Sequence, residues 1–313
     1  MTRFLGVMML VALTSATAQA QSTDQLARIE NDFRVVPDVI YLTASGMDAK
    51  LDLYVRRGSS TPQPTLIFIH GGGWTGGTKE ARVLAIAPYL AMGLNVVNVE
   101  YRLAKVALAP GAVEDCRCAL KWLYSHAKQY GIDTQKIVVA GDSAGGHLAL
   151  MTGFLPASAG MERQCGRSEY HGQDPVPAEM KVAAVVNWYG ISDVTELIDG
   201  PNMRPYAVTW LGNLMNREDV AKRVSPVTYV RAGVPAVLTI HGDADPTVPY
   251  QQSVRLHKML AGVGVPNELM TIPGGKHGLD CCNAEQRVKV YQTIQTFLRT
   301  QGILPAPRTS AQP

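Results

Sequence analysis

The chain has 313 residues, of which 46% are hydrophobic and 18% are charged, and its formal net charge at pH 7 is +3. This composition is typical of a globular protein and is long enough for one large domain or two small ones. Acidic and basic residues are mixed along the chain without a basic cluster, so nucleic-acid binding is not indicated.

The first twenty residues have the pattern of a secretory signal peptide. Arg3 precedes the apolar run 4–13, and Ala18-Gln19-Ala20 is a small-x-small cleavage site. The apolar run is too short for a membrane span, and no later segment reaches that length. We therefore expect cleavage after Ala20, a secreted or periplasmic protein and no membrane span. A buried N-terminal helix is the alternative interpretation.

The next segments predict an antiparallel strand pair followed by a mostly parallel sheet. Hydrophobic and polar residues alternate around the second of the first two strands, as in a half-solvated antiparallel pair. Short, nearly continuous apolar runs then alternate with helical stretches, which indicates an α/β fold with helices on both faces of the sheet. A barrel fits the strand count, but the antiparallel start favours an open sheet. Predicted strands are 35–41, 50–55, 65–69, 94–99, 136–140, 182–186, 236–240 and 269–272; predicted helices are 78–92, 111–130, 144–154, 249–261 and 284–299.

Two insertions and a tail interrupt this alternation within a single predicted domain, 21–302. The segment 156–179 is rich in proline, glycine and charge, and 191–224 contains a predicted short helix at 206–211. Ligands of such sheets bind at the carboxyl edge of the strands, so 191–224 is predicted to form a small cap over the site. The tail 303–313 is predicted to be disordered.

The sequence Gly141-Asp142-Ser143-Ala144-Gly145 joins a predicted strand to a predicted helix. A serine flanked by glycines at this junction is typical of a nucleophile elbow, because a Cβ at either glycine would crowd the tight turn. The turn also places Ser143 at a helix N-terminus, where backbone N–H groups and the helix dipole favour an oxyanion. A plain helix cap made by Asp142 or Ser143 is the alternative.

A serine hydroxyl needs a base that takes its proton, and His277 is the predicted base. It lies in a loop between the last predicted strand and the last predicted helix, from which it can reach the sheet edge. Of the other histidines, His147 is expected to pack against the sheet and His257 to be exposed. His70 and His241 each end a strand before a glycine and are expected to order loops.

The base in turn needs a carboxylate that orients it, and Asp245 is the predicted acid. Asp243 lies in the same loop after a buried strand and is the nearest rival, with a loop-structuring role as its alternative. Asp193 is a further rival and is expected to cap a helix. The chain order Ser143, Asp245, His277 is the order of α/β-hydrolases.

Developing negative charge on the substrate requires hydrogen-bond donors, and the glycine-rich segment 70–74 is predicted to supply them. Glycines let the backbone approach the substrate with its N–H groups turned inward. The predicted donors are the N–H groups of Gly72, Gly73 and Ala144. A phosphate-binding loop is the alternative, but the Gly-Lys-Ser/Thr signature is absent. The aromatic residues Trp74, Trp188 and Tyr189 are predicted to contact substrate, with core packing as their alternative.

Together these motifs resemble those of α/β-hydrolase serine esterases with an HGGG-type oxyanion motif, close to the hormone-sensitive-lipase-like group. The resemblance runs from about Val35 to Leu298 and is greatest to secreted bacterial carbohydrate esterases of the acetyl xylan/feruloyl esterase-like family. One departure is 107–111, where such sequences usually carry a Pro-Phe-Pro-like segment. The motifs that carry the resemblance are 70–74, 101–103, 141–146, 187–190 and the loops at Asp245 and His277.

The resemblance implies a carboxylesterase that needs no cofactor. Its expected substrates are small-molecule or polysaccharide-linked esters with short-chain, aryl or carbohydrate groups. Amide hydrolysis by the same residues is the alternative activity, and a non-catalytic binding protein is a remote one. The sequence does not indicate the oligomeric state.

The five cysteines are Cys116, Cys118, Cys165, Cys281 and Cys282. Export makes disulfides possible, although an odd number leaves at least one thiol free or paired between chains. Cys116 and Cys118 point to different sides of a predicted helix, and the adjacent Cys281 and Cys282 are poor mutual partners. Any bridge should be long-range, for example from Cys165 to Cys281 or Cys282. No histidine stands at zinc-ligand spacing near them, so no metal site is predicted.

Overall fold

The computed structural model describes residues 27–165, 174–213, 215–278 and 282–306. The predicted signal peptide, 1–20, lies outside these residues, as do Cys281 and the end of the predicted tail. Within the described ranges, no helix is both long and apolar enough to cross a membrane.

Eight strands in the described part of the chain form one sheet, in the order β1-β2-β4-β3-β5-β6-β7-β8. Strand β2 pairs antiparallel with both β1 and β4, and every pairing from β4 to β8 across the sheet is parallel. The predicted open, mostly parallel sheet with an antiparallel start is confirmed. The strands are β1 Phe33–Ala44, β2 Met47–Arg56, β3 Gln63–Ile69, β4 Asn95–Val99, β5 Ile132–Asp142, β6 Ala184–Trp188, β7 Ala236–Gly242 and β8 Asn267–Ile272.

Helices cover both faces of the sheet and bury a hydrophobic cluster on each face. The central parallel strands are buried on both sides, which explains their nearly continuous apolar sequences. The helices are α1 Val83–Ala91, α2 Gly111–Ser125, α3 Ala127–Tyr130, α4 Ala144–Phe154, α5 Pro205–Leu211, α6 Arg217–Arg223, α7 Tyr250–Gly262 and α8 Ala284–Thr300. Short 3-10 helices span Glu80–Arg82, Ala157–Ala159, Thr195–Leu197, Gly200–Asn202 and Pro226–Tyr229.

Several element boundaries differ from the sequence-based prediction. The predicted helix 111–130 is interrupted at His126, whose non-helical backbone separates α2 from α3. Helix α6 was not predicted, because its sequence is mostly charged and buries only Val220 and Ala221. The predicted tail starts too early, since Ile303 and Leu304 are 1% and 7% exposed and pack in the cluster beside α8.

One disulfide joins Cys118 on α2 to Cys165, across 47 residues of sequence. The prediction of a long-range bridge is confirmed, as is the prediction that Cys118 does not pair with Cys116. The suggested pairing of Cys165 with Cys281 or Cys282 is wrong, because the segment that carries Cys165 packs along α2. At the same contact, Arg117 Nε donates a hydrogen bond to Glu162 Oε1 at 2.9 Å.

Candidate active site

Ser143 occupies a strained turn between β5 and α4. Its backbone has φ 55° and ψ −119°, a conformation that costs a non-glycine residue about 1–3 kcal/mol. A Cβ on Gly141 would come within 2.6 Å of the Ile69 carbonyl oxygen, and one on Gly145 within 2.0 Å. Strand β3 therefore passes directly against the turn, and only glycine fits two positions before and two positions after the serine. The backbone N–H of Ser143 donates to the carbonyl oxygen of Trp188 at 2.9 Å, which holds the turn on the neighbouring strand.

Ser143, His277 and Asp245 form a continuous hydrogen-bonded chain. The Nε2 atom of His277 lies 3.0 Å from Ser143 Oγ, and its Nδ1 atom lies 2.7 Å from Asp245 Oδ2. A carboxylate only accepts hydrogen bonds, so the proton of the neutral imidazole is on Nδ1 and Nε2 is free to accept from the serine hydroxyl. The three residues follow β5, β8 and β7, whose carboxyl ends share one edge of the sheet. The structure therefore brings the predicted nucleophile, base and acid together.

The Asp245 side chain is fully buried, and its carboxylate accepts four hydrogen bonds. Its Oδ1 accepts from the backbone N–H groups of Thr247 at 2.7 Å and Val248 at 3.0 Å. Its Oδ2 accepts a hydrogen bond from His241 Nε2 at 3.2 Å in addition to the one from His277. Burial alone would raise the pKa of Asp245, but hydrogen bonds from His241 and His277 outweigh it and hold this pKa well below its usual range. The carboxylate therefore remains charged.

The rival acids have other partners. Asp243 Oδ1 accepts from the backbone N–H of Gly274 at 2.6 Å, so Asp243 ties its own loop to the loop after β8. Asp193 Oδ1 accepts from the backbone N–H of Thr195 at 3.0 Å and structures the start of a 3-10 helix. The Asp243 contact agrees with the loop-structuring alternative. Asp193 is also structural, but the expectation that it caps a helix is wrong, because Val194 is the N-cap of this 3-10 helix.

The three predicted oxyanion donors have unsatisfied backbone N–H groups. Gly72 and Gly73 have φ of 119° and 60°, which glycine adopts without strain. Within the described ranges, no protein atom accepts a hydrogen bond from the N–H of Gly72, Gly73 or Ala144. Ala144 is the first residue of α4, whose N-terminus favours negative charge. These N–H groups are available to a ligand.

Asp142 fastens the glycine-rich loop to the serine turn. Its Oδ1 accepts from the backbone N–H of Gly71 at 3.1 Å, and its Oδ2 forms an ion pair with Arg82 at 2.8 Å. Burial raises the pKa of Asp142, while Arg82 and the Gly71 N–H act in the opposite direction. The residue next to the serine thus positions the loop that carries the free N–H groups.

The predicted cap segment reaches two loops: the loop after β7 that carries Asp245, called the acid loop, and the glycine-rich loop. A Cβ on Gly73 would lie 2.9 Å from the Cβ of Tyr206, so the Tyr206 side chain packs directly on that glycine. The Tyr206 hydroxyl donates to the carbonyl oxygen of Thr247 at 3.2 Å, and Arg204 Nε donates to the same oxygen at 2.9 Å. Burial raises the pKa of Tyr206 to about 12, which keeps this hydroxyl a donor. The contact of Arg204 could not be predicted from the sequence, because a lone arginine in an irregular segment carries no local signal.

The three aromatic residues predicted to contact substrate have different environments. Trp74 is fully buried, stacks on Trp210 with ring centroids 4.2 Å apart, and has no surface to offer a ligand. Its predicted substrate contact is therefore wrong, and the core-packing alternative holds. Trp188 is 5% exposed and donates from Nε1 to the Tyr89 hydroxyl at 2.9 Å, which also assigns it to packing. Tyr189 meets the His277 ring edge-on at 4.7 Å and is the one of the three that borders the site.

Three other histidines, His147, His70 and His257, have structural contacts rather than contacts with Ser143. His147 is fully buried, accepts at Nδ1 from Trp74 Nε1 at 3.2 Å and donates from Nε2 to the Val224 carbonyl oxygen at 2.6 Å. His70 is buried against the Tyr101 ring. Burial lowers the pKa of each of these two histidines from 6.5 to about 4. The expectation that His257 is exposed is wrong, because it is 7% exposed and bonds Asn267 through Nδ1.

The described residues contain no group of three or more histidine, cysteine or acidic side chains placed to hold a metal ion. What the arrangement offers is a serine hydroxyl, an oriented imidazole, a buried carboxylate and free N–H donors on one sheet edge. These groups are suited to nucleophilic attack on a carbonyl carbon.

Several curated relatives of the chain are named as esterases. The probable carboxylic ester hydrolase LipM of Mycobacterium tuberculosis is 28% identical over 292 residues, which are 90% of this chain and 65% of LipM. Esterase LipC of the same organism is 28% identical over 257 residues, which are 79% of this chain and 61% of LipC. The chain thus spans less than two thirds of the length of these two relatives.

Solved esterase structures share the fold over nearly their whole length. A truncated carbohydrate esterase from gut microbiota superimposes with a TM-score of 0.69 and 27% identity, covering 87% of this chain and 98% of that one. The propionate-bound esterase Est2 of Thermogutta terrifontis superimposes with a TM-score of 0.70 and 26% identity, covering 89% and 97%. The strand order together with these similarities establishes the predicted α/β-hydrolase fold.

The model of one protein family, BD-FAE, matches residues 51–260. The match begins in β2 and ends in α7, so it includes the glycine-rich loop, the serine turn and the loop that carries Asp245. Because it covers more than half of the sequence, the chain belongs to the BD-FAE family of α/β-hydrolases, in agreement with the resemblance of its motifs to serine esterases.

Proposed function

We propose that this protein is a serine carboxylic ester hydrolase that forms an acyl-enzyme on Ser143. The observation that carries the proposal is the hydrogen-bonded chain from Ser143 Oγ through His277 to the buried carboxylate of Asp245. The strained backbone of Ser143 adds support, because strain of this kind clusters at functional sites. The esterase relatives support the same reaction class.

In the first step, Ser143 Oγ attacks the ester carbonyl carbon while its proton moves to His277 Nε2, 3.0 Å away. The resulting imidazolium is stabilised by the Asp245 carboxylate, which also holds the ring in the required orientation. The carbonyl oxygen becomes an oxyanion and accepts hydrogen bonds from Gly72, Gly73 and Ala144. Loss of one such donor typically lowers turnover by about 10²–10³-fold.

The tetrahedral intermediate then collapses, and the bond between the carbonyl carbon and the alcohol oxygen breaks. His277 donates its proton to that oxygen, so the alcohol leaves neutral and the acyl group stays on Ser143. Water repeats the sequence: it loses a proton to His277, attacks the acyl carbon and releases the acid. His277 finally returns the proton to Ser143 Oγ, which restores the starting state.

The proposed substrates are short-chain, aryl or carbohydrate esters. Tyr189 is buried and packs edge-on against the His277 ring, so the pocket wall next to the residue that protonates the leaving group is aromatic. Among the similar structures, one is named a carbohydrate esterase and one holds propionate, an acid of short chain length. These names support the substrate class without assigning the acyl or alcohol group.

The proposal includes export through the N-terminal segment 1–20. The Cys118–Cys165 disulfide supports an oxidising compartment, because such bonds are rare in the cytosol of most organisms. Expression with the full N-terminus in a bacterial host tests this: the exported protein should begin at Gln21 by N-terminal sequencing. Recovery of the intact N-terminus in the cytosol would contradict it.

Substitution of the proposed nucleophile tests the reaction. Ser143→Ala should fold normally and hydrolyse no p-nitrophenyl acetate, since the attacking oxygen is gone. Ser59→Ala, in an exposed loop, is the matched control and should retain full activity. A fluorophosphonate probe should label the unsubstituted protein and the control but not Ser143→Ala. Retained turnover or labelling in Ser143→Ala would refute the acyl-enzyme.

The substrate class requires a separate panel. p-Nitrophenyl esters of two to twelve carbons, methyl ferulate and acetylated xylan compare acyl and alcohol groups, while matched amides test the alternative activity. The proposal predicts that short-chain, aryl or carbohydrate esters are the best substrates and that each ester is cleaved much faster than its amide. Faster amide cleavage would replace esterase with amide hydrolase on the same residues.

A further inference from the structure

A second imidazole contacts the proposed catalytic acid. His241, near the end of β7, is fully buried, and its Nε2 lies 3.2 Å from Asp245 Oδ2. The same Oδ2 accepts a hydrogen bond from His277 Nδ1 at 2.7 Å. One carboxylate oxygen therefore lies between two histidines, of which only His277 reaches Ser143. The proposed mechanism does not use the other.

The hydrogen bonds of His241 determine its tautomer. Its Nε2 also lies 3.2 Å from the carbonyl oxygen of Val248, which can only accept. Because both partners of Nε2 are acceptors, this nitrogen carries a proton, and Nδ1 is the acceptor of the neutral ring. Ser253 Oγ, 2.7 Å from Nδ1, is then the donor. Ser253 thus directs the His241 proton towards Asp245.

Residues from three elements hold His241 in place. It belongs to a buried strand and is in register with Thr271 on β8, while Ser253 approaches from α7. The Tyr250 ring meets the His241 ring edge-on at 5.5 Å, and its hydroxyl bonds Thr271. Asp245 stands in the loop beyond the strand. The imidazole is therefore a rigid donor that limits rotation of a loop carboxylate.

We propose that His241 is a positioning residue for the ester hydrolysis proposed above: its Nε2–H fixes the Asp245 carboxylate towards His277, and Ser253 fixes the His241 tautomer. The inference rests on that proposed function. The titratable or charged groups that face His241 are Asp245 from its own loop and Tyr250 from α7. His277 approaches the shared oxygen from the loop after β8, and the β8 neighbour Thr271 is uncharged.

Loss of this donor has two expected consequences. The carboxylate gains freedom to rotate, so the His277 ring is less often aimed at Ser143 and kcat falls, while substrate contacts and KM are unchanged. Without the His241 donor, the negative charge of the Asp245 carboxylate is neutralised less by other groups. It therefore stabilises the imidazolium of His277 more strongly. Activity that rises as His277 loses its proton should then rise at a higher pH than in the unsubstituted protein.

The experiment measures kcat and KM for p-nitrophenyl acetate from pH 5 to 9 in His241→Phe, His241→Gln and Ser253→Ala. His241→Phe keeps the ring volume without the donor. It should lower kcat about 10–100-fold, less than the roughly 10²–10⁴-fold that a general base itself contributes, and it should shift the rise of kcat on the acidic side of the pH profile (the acidic limb) to higher pH. His241→Gln retains an N–H near the Nε2 position and should recover most of kcat. Ser253→Ala should show the same changes to a smaller extent.

His257→Phe is the matched control, because it also removes a buried imidazole from the same region but bonds Asn267 rather than the acid loop. It should leave kcat and the acidic limb unchanged. Equal losses in His241→Phe and His241→Gln with an unmoved acidic limb would assign His241 a purely structural role and overturn the inference. Unchanged kinetics in both His241→Phe and Ser253→Ala would overturn it as well.

A measurement without turnover separates this inference from the proposed function. Nitrogen-15 NMR of histidine-labelled protein should show His241 protonated at Nε2, with a response to Ser253→Ala. Should the unsubstituted protein hydrolyse no ester, the proposed function fails, while the tautomer still reports on the contact with Asp245. An Nδ1-protonated His241 would overturn the inference whatever the activity.

Discussion

Gly145 lies so close to Ile69 that a Cβ on the glycine would stand 2.0 Å from the Ile69 carbonyl oxygen. The obstacle is backbone of the central strand β3, which cannot move without disturbing the sheet. Gly145, two positions after the serine, therefore allows the start of α4 to lie against β3, and this close approach sets the position of Ser143 and of the Ala144 N–H.

We accordingly predict that Gly145→Ala loses activity and stability together. Overpacking of this kind typically costs about 1–3 kcal/mol, and displacement of the turn should lower kcat at least tenfold. Gly262→Ala is the control, because that helical glycine has open space around its Cβ position and should tolerate alanine. Urea denaturation and p-nitrophenyl acetate turnover check both variants. Unchanged turnover in Gly145→Ala would show that the backbone of the turn accommodates the added Cβ without displacing Ser143.

The acid loop allows a direct comparison of two aspartates. Asp245→Asn removes the charge that orients and stabilises His277, and loss of this charge in a serine hydrolase lowers kcat by about 10⁴-fold. Asp243→Asn retains an oxygen that can accept from Gly274 and should alter kcat less than about threefold. The kcat values of the two variants, measured at pH 7.5, check the assignment. A larger loss in Asp243→Asn would move the acid to that residue.

The positions of the proposed nucleophile, base and acid could be anticipated because parallel strands carry their following loops to one sheet edge. Ser143, Asp245 and His277 each follow a recognisable apolar strand. Because these strands are parallel, their ends lie at the same edge of the sheet, and the three residues are expected there. The N–H groups of Gly72 and Ala144, the proposed oxyanion donors, could be expected at this edge for the same reason. These are local signals combined with one topological rule.

Other features depend on packing between distant segments and leave no mark in local spacing. Trp74 immediately follows the oxyanion glycines, yet its ring turns into the core and stacks on Trp210. The bridge from Cys118 to Cys165 depends on how an irregular insertion lies along α2. The contact of His241 with Asp245 depends on the path of a loop whose ends were predicted but whose shape was not.

Tyr206 links the cap segment to both functional loops, and its hydroxyl provides a test of that link. Tyr206→Phe keeps the ring on Gly73 but loses the hydrogen bond to the Thr247 carbonyl oxygen. A bond of this kind contributes about 1 kcal/mol, so kcat/KM should fall about five- to tenfold if the acid loop loosens by that amount.

Tyr229→Phe is the control for this prediction, because its hydroxyl bonds the Arg223 carbonyl oxygen, outside the acid and glycine-rich loops. The two variants should lose similar stability in urea denaturation, but only Tyr206→Phe should lose kcat/KM. Equal kinetics in both variants would mean that the cap does not support the acid loop.

Buried neutral histidines make stability depend on pH. The pKa of His147 is lowered by burial from 6.5 to about 4, so the unfolded chain binds a proton between these values that the folded protein does not. Stability must therefore fall as pH decreases from 6.5 towards 4, and for one such group the loss between pH 7 and 5 is about 2 kcal/mol. Burial also lowers the pKa of His70, so this residue likewise makes the folded protein less stable as pH decreases.

Urea denaturation at pH 7 and pH 5 measures this effect, and His147→Gln isolates one contribution. Glutamine does not titrate but can donate to the Val224 carbonyl oxygen, which in the unsubstituted protein lies 2.6 Å from His147 Nε2. The variant should lose stability at pH 7 yet show a pH dependence smaller by about 2 kcal/mol over this interval. An undiminished pH dependence in His147→Gln would mean that His147 takes up its proton in the folded protein as readily as in the unfolded chain.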